Sequence, residues 1–222
     1  RACQGLACTQ NSDCASGLCV GGICRAYPII DEVIESNGAV GNLVTLRGRN
    51  FGAEAGSVVF LGLTSDTDDV TATLPACEAV WSDTQVIVRV PAEAKTGPLR
   101  LLTSDQLYDT TDDDKGGRVV FEVNDRRRPG LCAVSPNRQT VGETVGLTGE
   151  QFGTTSADVS FGQVKAGRIT SWADTAIQGV AIPSVPAAQT PVRVFVAGER
   201  SNPVFMQVVE SPTLPRLESV SP

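Results

Sequence analysis

Apolar and polar residues alternate along several short segments, which is the pattern of β-strands with one buried face. The clearest runs place valine at every second position over residues 86–90 and 192–196, with Ile87 and Arg89 between the valines of the first run. Residues 119–123 repeat the pattern, and residues 204–208 do so less regularly. No segment has the 3.6-residue period and capping residues of an amphipathic helix. The pattern therefore predicts an all-β protein of short strands separated by Gly, Asn, Asp and Pro.

The sequence contains an internal repeat, since residues 28–52 align without a gap with residues 129–153 at an offset of 101. Self-similarity at a fixed offset indicates one structural unit used more than once. The matched positions include Pro28/Pro129, Val33/Val134, Gly41/Gly142, Val44/Val145, Leu46/Leu147, Gly48/Gly149, Phe51/Phe152 and Gly52/Gly153.

The match continues downstream, where residues 57–60 align with 158–161 and Trp81-Ser-Asp-Thr84 aligns with Trp172-Ala-Asp-Thr175. Here the offset has fallen from 101 to 91, so repeat one carries ten extra residues, which we place within 63–77. Residues 215–222 resemble residues 129–136 and indicate the start of a third copy.

These units define the predicted organisation of the chain. Residues 27–124 and 129–209 are each predicted to form an immunoglobulin-like antiparallel β-sandwich. Residues 1–26 are predicted to form a small disulfide-rich module. Residues 215–222 would start a third repeat, or donate a strand to a neighbouring molecule.

The order of motifs resembles the IPT/TIG family: a leading proline, Val-x-Leu-x-Gly, Asn/Gln-Phe-Gly, Val-x-Phe, Trp-x-Asp-Thr and an alternating strand that ends in proline. The resemblance covers residues 28–124 and 129–209, and it implies an immunoglobulin-like fold found in plexins, Met-type receptors, some transcription factors, cyclodextrin-forming amylases and bacterial surface proteins. Residues 176–182 depart from it, because Gly179 interrupts the alternation and predicts a β-bulge. We expect a bacterial surface protein, since residues 1–26 lack the Cys-x-x-Cys of the PSI modules that precede these repeats in receptors.

The repeated motifs have a structural explanation. Gly48 and Gly52 allow a tight turn that returns Phe51 to the core, and Trp81 and Trp172 are predicted to pack at the centre of each sandwich. The alternative for the tryptophans is an exposed carbohydrate-binding surface.

Seven cysteines constrain the compartment. Five of them fall within 22 positions in a segment with few large apolar residues, so disulfides rather than hydrophobic burial must hold it, and disulfides imply an oxidising environment. A zinc site is the alternative, but the spacings lack paired C-x2-4-C ligands and the chain has no histidine. The pairing is left open. Because seven is odd, at least one thiol is free or bonded outside this sequence, and the fifth clustered cysteine would reach Cys77, Cys132 or a partner upstream of Arg1. The seven are Cys3, Cys8, Cys14, Cys19, Cys24, Cys77 and Cys132.

Charge and composition exclude several function classes. A net charge of −7 argues against nucleic-acid binding, and we interpret the basic run 126–128 as a solvated hinge. Without histidine or a Gly-rich phosphate loop, we predict no enzymatic activity and no cofactor. No apolar stretch is long enough to span a membrane, and residues 1–26 do not resemble a signal peptide. A secreted protein would have lost its signal or carry it upstream.

Two acidic loops are candidate calcium sites, because oxygen-rich loops bind calcium between extracellular β-domains. The alternative is that both loops are solvated hairpin tips. The candidate ligands are Asp66, Asp68, Asp69, Asp109, Asp112 and Asp114.

Three functions compete for this extracellular or cell-surface chain. Tandem sandwiches joined by proline-containing linkers favour a structural or adhesive stalk or fibre, whose partners are further repeats or neighbouring subunits. The alternatives are a module that binds a glycan or protein ligand, and a fragment of a receptor ectodomain. The shortage of Trp and Tyr weighs against a glycan site, and Tyr27 and Tyr108 lie far apart in the sequence.

Overall fold

The computed structural model describes residues 5–63, 66–112 and 119–210, apart from the side chain of Asp66. Within these ranges the chain consists of short β-strands and two single 3-10 turns, so the predicted all-β fold class is confirmed. None of the helical turns in these ranges is long and apolar enough to cross a membrane. Cys3, Asp114 and the segment 215–222 predicted to start a third repeat lie outside the described residues.

The N-terminal module is a hairpin held by two disulfides. Its elements are a 3-10 turn (Asn11–Asp13), β1 (Cys19–Val20) and β2 (Ile23–Cys24). One bond joins Cys8 to Cys19 and the other joins Cys14 to Cys24. Cys14 and Cys24 are fully buried, so sulfur atoms fill the interior where a larger domain would place apolar side chains.

Asp13 stabilises the 3-10 turn of this module. Its carboxylate accepts hydrogen bonds from the backbone N–H of Thr9, the Thr9 hydroxyl and the backbone N–H of Gln10. These bonds, the Thr9 backbone bond most of all, lower the pKa of Asp13 to about 2. Because the unfolded chain has the higher pKa, this stabilisation is fully present above a pH of about 4 and is lost as the pH falls toward 2.

We therefore expect an NMR titration of the Asp13 carboxyl carbon to show a midpoint at about 2. In Asp13→Asn the module should lose the part of its acid sensitivity that falls in this pH window. A midpoint at the ordinary aspartate value of about 4 would contradict this account.

The first sandwich consists of two facing sheets. Its strands are β3 (Ile29–Ile34), β4 (Asn37–Gly38), β5 (Leu43–Arg49), β6 (Ser57–Phe60), β7 (Val70–Thr71), β8 (Gln85–Arg89), β9 (Leu99–Leu102), β10 (Tyr108–Thr110) and β11 (Glu122–Val123), with a 3-10 turn at Asp66–Asp68. One sheet has the order β3-β5-β8 and the other has the order β10-β9-β6-β7, while β11 pairs in parallel with β4. The strand predicted at 119–123 is shorter than expected, because Phe121 makes only an isolated bridge to Gly97.

Alternate residues of both sheets fill the interior of the first sandwich. Val44 and Leu46 on β5 face Val58 and Phe60 on β6 across a cluster in which all four are at most 1% exposed. Phe60 also packs edge-to-face on Phe121, with 5.3 Å between ring centroids. Each such side chain contributes about 1.5–3 kcal/mol relative to leaving it exposed, so the alternation in the sequence translates directly into a core.

The second sandwich repeats this plan. Its strands are β12 (Gly130–Ser135), β13 (Arg138–Thr140), β14 (Thr144–Glu150), β15 (Asp158–Phe161), β16 (Val164–Lys165), β17 (Ser171–Ala173), β18 (Ala176–Ala181), β19 (Gln189–Val196), β20 (Glu199–Arg200) and β21 (Val204–Val209). One sheet has the order β12-β14-β18-β17, and the other has the order β13-β21-β19-β15-β16 with β20 on β19. β13 and β21 run parallel to each other.

The predicted β-bulge in the second sandwich is confirmed. The register of β14 and β18 shifts between Val145 and Leu147, so that two residues of β18 oppose one residue of β14. Gly179 lies at this point with a φ of 62°, a conformation that glycine adopts at little cost.

The repeated Trp-x-Asp-Thr motif holds the repeated Phe-Gly turn in both sandwiches. In repeat one the Trp81 indole N–H donates to the Phe51 carbonyl at 3.3 Å, and the Asp83 carboxylate accepts from Gly52 N–H at 3.0 Å. In repeat two the Trp172 indole donates to the Phe152 carbonyl at 3.0 Å, and Asp174 accepts from Gly153 N–H at 2.8 Å.

The two tryptophans therefore have equivalent surroundings, but the prediction that they lie at the sandwich centre is wrong. Trp81 and Trp172 are only partly buried and pack against the edge of each core. Of the aromatic residues in these two motifs, Phe51 and Phe152 are the ones that are fully buried. An indole packs its rings on apolar neighbours and satisfies its N–H at the same time, which suits it to clamp a turn at the core boundary.

Candidate functional site

The two sandwiches are packed against each other through one face of the first. We call this contact the joint: it consists of the outward-facing residues of β5 and β8 against residues 202–205 and the first strand of repeat two. Leu43 and Ile87 point away from the core of repeat one and belong to the apolar cluster of repeat two, with 4% and 0% exposed. The strands β5 and β8 are thus buried on both faces over most of their length, and repeat one still keeps a separate interior.

Buried polar groups in the joint are paired across it. Thr45 is fully buried, and its hydroxyl donates to the Pro203 carbonyl at 2.7 Å. The Asn202 amide donates to Thr45 Oγ1 at 3.0 Å and to the Leu131 carbonyl at 2.8 Å. Because an unpaired buried polar group costs about 1–3 kcal/mol, these bonds favour the observed arrangement of the two sandwiches over one that breaks them.

An ion-pair network closes one end of the joint. The Glu35 carboxylate, 6% exposed, accepts from Arg193 Nη1 at 2.6 Å and forms an ion pair with Arg200, whose Nε lies 2.8 Å away. Arg128 is 5% exposed and lies 3.9 Å from Glu35, while its guanidinium donates to the side-chain and main-chain oxygens of Asn37. Burial lowers the pKa of Arg128, and the Glu35 charge opposes that shift.

The interpretation of residues 126–128 as a solvated hinge is therefore wrong. Arg126 is more exposed than Arg128, but it also forms an ion pair, because its Nε lies 2.8 Å from the Glu199 carboxylate. Arg128 is buried between the sandwiches. The segment between the repeats is held by ion pairs to Glu35 of repeat one and Glu199 of repeat two. These pairs oppose bending at the joint.

A third disulfide ties the repeats together. Cys77, in the insertion of repeat one, is bonded to Cys132 on β12 of repeat two, with 6.0 Å between their Cα atoms. The alternative in which the fifth clustered cysteine reaches Cys77 or Cys132 is excluded, because these two residues are bonded to each other. The pairing required the joint, since only the packing of the repeats brings the insertion next to β12.

A groove of about 600 Å³ opens beside this disulfide, with one wall from each repeat. We call it the joint groove. Repeat one supplies Arg47, Glu78 and Gln85, among others, and repeat two supplies Asn137, Arg138, Gln189, Phe205 and Gln207.

The floor of the joint groove is a row of polar side chains across three strands. Gln207 on β21 is in register with Arg138 on β13 and with Gln189 on β19, so the three side chains lie side by side on the outer face of the sheet. Val204 and Met206 on β21 point the other way, into the core.

Arg47 covers the aromatic part of the floor. Its guanidinium carbon lies 3.9 Å from the centroid of the Phe205 ring, a cation–π contact. The Phe205 backbone N–H donates to Gln85 Oε1 at 2.9 Å, which fixes β21 against repeat one. Among the described residues, Arg47 and Arg138 form no ion pair with any carboxylate.

Among the predicted calcium ligands whose side chains the structure describes, no three carboxylates come together. Asp68 lies 3.2 Å from the Lys95 amine, Asp69 Oδ1 accepts from Gly62 N–H, and Asp112 is exposed. Asp109 is 7% exposed and accepts from Ile30 N–H at 2.7 Å, so its interpretation as part of a solvated hairpin tip is wrong.

In the described part of the chain, the one group of three potential metal ligands with atoms within 4.8 Å is Cys8, Cys14 and Cys24, all of which are disulfide-bonded. The side chain of Asp66 and all of Asp114 lie outside the described residues. Calcium binding by the acidic loops stays a prediction without a site.

Tyr27 and Tyr108 are both more than half exposed, and neither lines the joint groove. The groove itself was missed by sequence reasoning. Its signal was the consecutive apolar residues Leu43-Val44 and Val86-Ile87-Val88, which indicate strands buried on both faces. A face that is buried against another domain creates a groove where that contact ends.

The sequence matches no family model and no curated protein. Solved structures overlap it loosely. The extracellular region of plexin A4 aligns at 20% identity and a TM-score of 0.33, over 82% of this chain and 18% of plexin. The gamma-CGTase of alkalophilic Bacillus clarkii aligns at 15% identity and a TM-score of 0.36, over 77% of this chain and 23% of the CGTase. The surface glycan-binding protein PbSGBP-B of Prevotella bryantii aligns at 18% identity and a TM-score of 0.31, over 82% of this chain and 42% of PbSGBP-B. This chain thus spans less than half of each of these proteins.

Proposed function

We propose that this chain is an extracellular, non-enzymatic carbohydrate-binding module, and that its ligand lies in the joint groove. The observation that carries the proposal is the groove, which both repeats build and a polar row lines. Three disulfides in the described residues support an oxidising, extracellular compartment.

The chemistry of the floor favours a carbohydrate. Within the described ranges, the side-chain amides of Asn137 and Gln189 make no hydrogen bond, so each offers both a donor and an acceptor to a ligand. Sugar hydroxyl groups need both kinds of partner. Phe205 lies at the end of the row beneath the Arg47 guanidinium, so the aromatic ring holds a further hydrogen-bond donor in the groove.

A second function, a rigid spacer within a longer surface protein, is supported by the joint. A disulfide, paired buried polar groups and the Glu35 network oppose bending between the sandwiches. This role is compatible with ligand binding, and it is the part of the stalk hypothesis that we retain. We also propose that both sandwiches are IPT/TIG domains and that the chain comes from a bacterial surface protein. The donated-strand hypothesis concerns residues 215–222 and stays a prediction.

The test is a panel of neutral and acidic oligosaccharides, followed by isothermal titration of those that bind. Gln189→Ala should weaken binding about threefold to tenfold, because it removes a neutral hydrogen-bonding group. Gln163→Ala is the matched control, since Gln163 is exposed in the turn between β15 and β16 and does not line the groove. The proposal fails if no oligosaccharide binds, or if both variants weaken binding equally.

A further inference from the structure

The joint groove carries an excess of positive charge in an acidic protein. Arg47 and Arg138 line it together with a single acidic residue, Glu78, whereas the whole chain has a net charge of −7. Other arginines near the joint, such as Arg89 and Arg193, are paired with Glu150 and Glu35. Arg47 and Arg138 form no ion pair with a carboxylate of the described chain, and both line the joint groove.

Arg47 is held in position for a ligand. Stacking on Phe205 at 3.9 Å occupies the face of the guanidinium and leaves the N–H groups at its edge without a partner among the described residues. That edge has the fork geometry that binds a carboxylate through two parallel hydrogen bonds. Because the stack restricts the side chain beforehand, less conformational entropy is lost on binding.

Arg138 lies close enough to act on the same ligand. Phe205 and Gln207 are two positions apart on β21, and Arg138 is in register with Gln207 on the next strand. Strand geometry therefore separates the Cα atoms of Phe205 and Arg138 by about 8 Å. The polar floor between them presents amide groups rather than a second charge.

We propose, resting on the carbohydrate-binding function above, that the ligand is an acidic oligosaccharide whose uronic-acid carboxylates bind to Arg47 and Arg138. The amides of Asn137, Gln189 and Gln207 then contact the hydroxyl groups of the same sugars. Glu78, at the exposed rim, repels such a ligand and so restricts where its carboxylates lie.

The experiment compares a uronic-acid oligosaccharide with its carboxyl-reduced, neutral counterpart by isothermal titration against the full chain. The acidic form should bind about a hundredfold tighter at low salt, and Arg47→Gln and Arg138→Gln should each remove about tenfold of its affinity while leaving the neutral form unchanged. Arg47→Lys should lose less affinity than Arg47→Gln and more than the unaltered protein, because it keeps the charge and loses the fork. Glu78→Gln should strengthen binding of the acidic form alone.

Arg168→Gln is the matched control, since Arg168 is exposed, outside the groove and without an ion pair in the described residues. Since Arg138 is exposed and its side chain forms no hydrogen bond or ion pair within the described residues, its variant keeps the test valid even if Arg47→Gln loosens the joint. Equal affinity for the two forms would overturn the acidic ligand and leave the carbohydrate function standing. Binding of neither form, or binding of a tetra-glutamate peptide instead, would overturn both.

Discussion

Replacement of Glu35 by alanine is expected to lower the free energy of unfolding by about 3–5 kcal/mol. The Glu35 carboxylate is 6% exposed and is shared by Arg193 and Arg128, which are 18% and 5% exposed, and by the more exposed Arg200. Removing the carboxylate leaves buried guanidinium groups without a counter-charge, and this loss exceeds the value of the pair itself. The measurement is urea denaturation followed by intrinsic fluorescence.

The control for this variant is Asp31→Ala. Asp31 pairs with Arg49 at 2.7 Å, but both side chains are about half exposed, so the loss should be at most about 1 kcal/mol. Backbone strain does not confound the comparison, because the φ of 61° at Glu35 is no easier for alanine than for glutamate. Equal losses in the two variants would show that the network at the joint is not buried in solution.

Loss of the Cys77–Cys132 disulfide is expected to lower the free energy of unfolding by about 4 kcal/mol, because the disulfide closes a long loop in the unfolded chain. The bonded residues are separated by 55 positions, so the unfolded chain regains considerable freedom when the bond is absent. Cys77→Ser is the informative variant, because Cys77 is only partly buried and the substitution leaves the buried Cys132 sulfur in the cluster. The measurement is guanidinium denaturation without reductant.

Cys77→Ser/Cys132→Ala separates the contribution of the bond from that of packing. Cys132 is 3% exposed, so its replacement should add a loss of about 1 kcal/mol or more for the cavity. If Cys77→Ser alone costs less than about 1 kcal/mol, the bond does not hold the repeats together in the folded protein.

Several features of the fold were predicted from local pattern. Gly179 indicated the bulge, because a glycine that interrupts an alternating strand typically marks an extra residue in the strand pairing. The sequence correctly predicted that the two tryptophans are equivalent residues of the repeat. It wrongly placed them at the sandwich centre, since it does not show that the indole N–H donates to the Phe51 or Phe152 carbonyl. The prediction of a solvated hinge was wrong because the sequence of an arginine run does not show whether it is surrounded by solvent or paired with a buried carboxylate such as Glu35.

The candidate site was beyond the reach of pattern alone. Thr45 donates to the carbonyl of Pro203, 158 positions away, and nothing near Thr45 in the sequence indicates that partner. The carboxylates proposed for calcium looked convergent in one dimension, yet Asp68 pairs with Lys95 and Asp109 is buried against Ile30.

The all-β class, the repeat, the turns at glycine and the need for disulfides could be read from the chain alone, because they follow from periodicity, allowed backbone angles and composition within a few residues. The folded arrangement was needed to establish which cysteines pair between repeats, which arginines are neutralised and where a groove opens. Those outcomes depend on how one whole sheet face lies against another sandwich, and that placement is set by contacts between residues far apart in the chain.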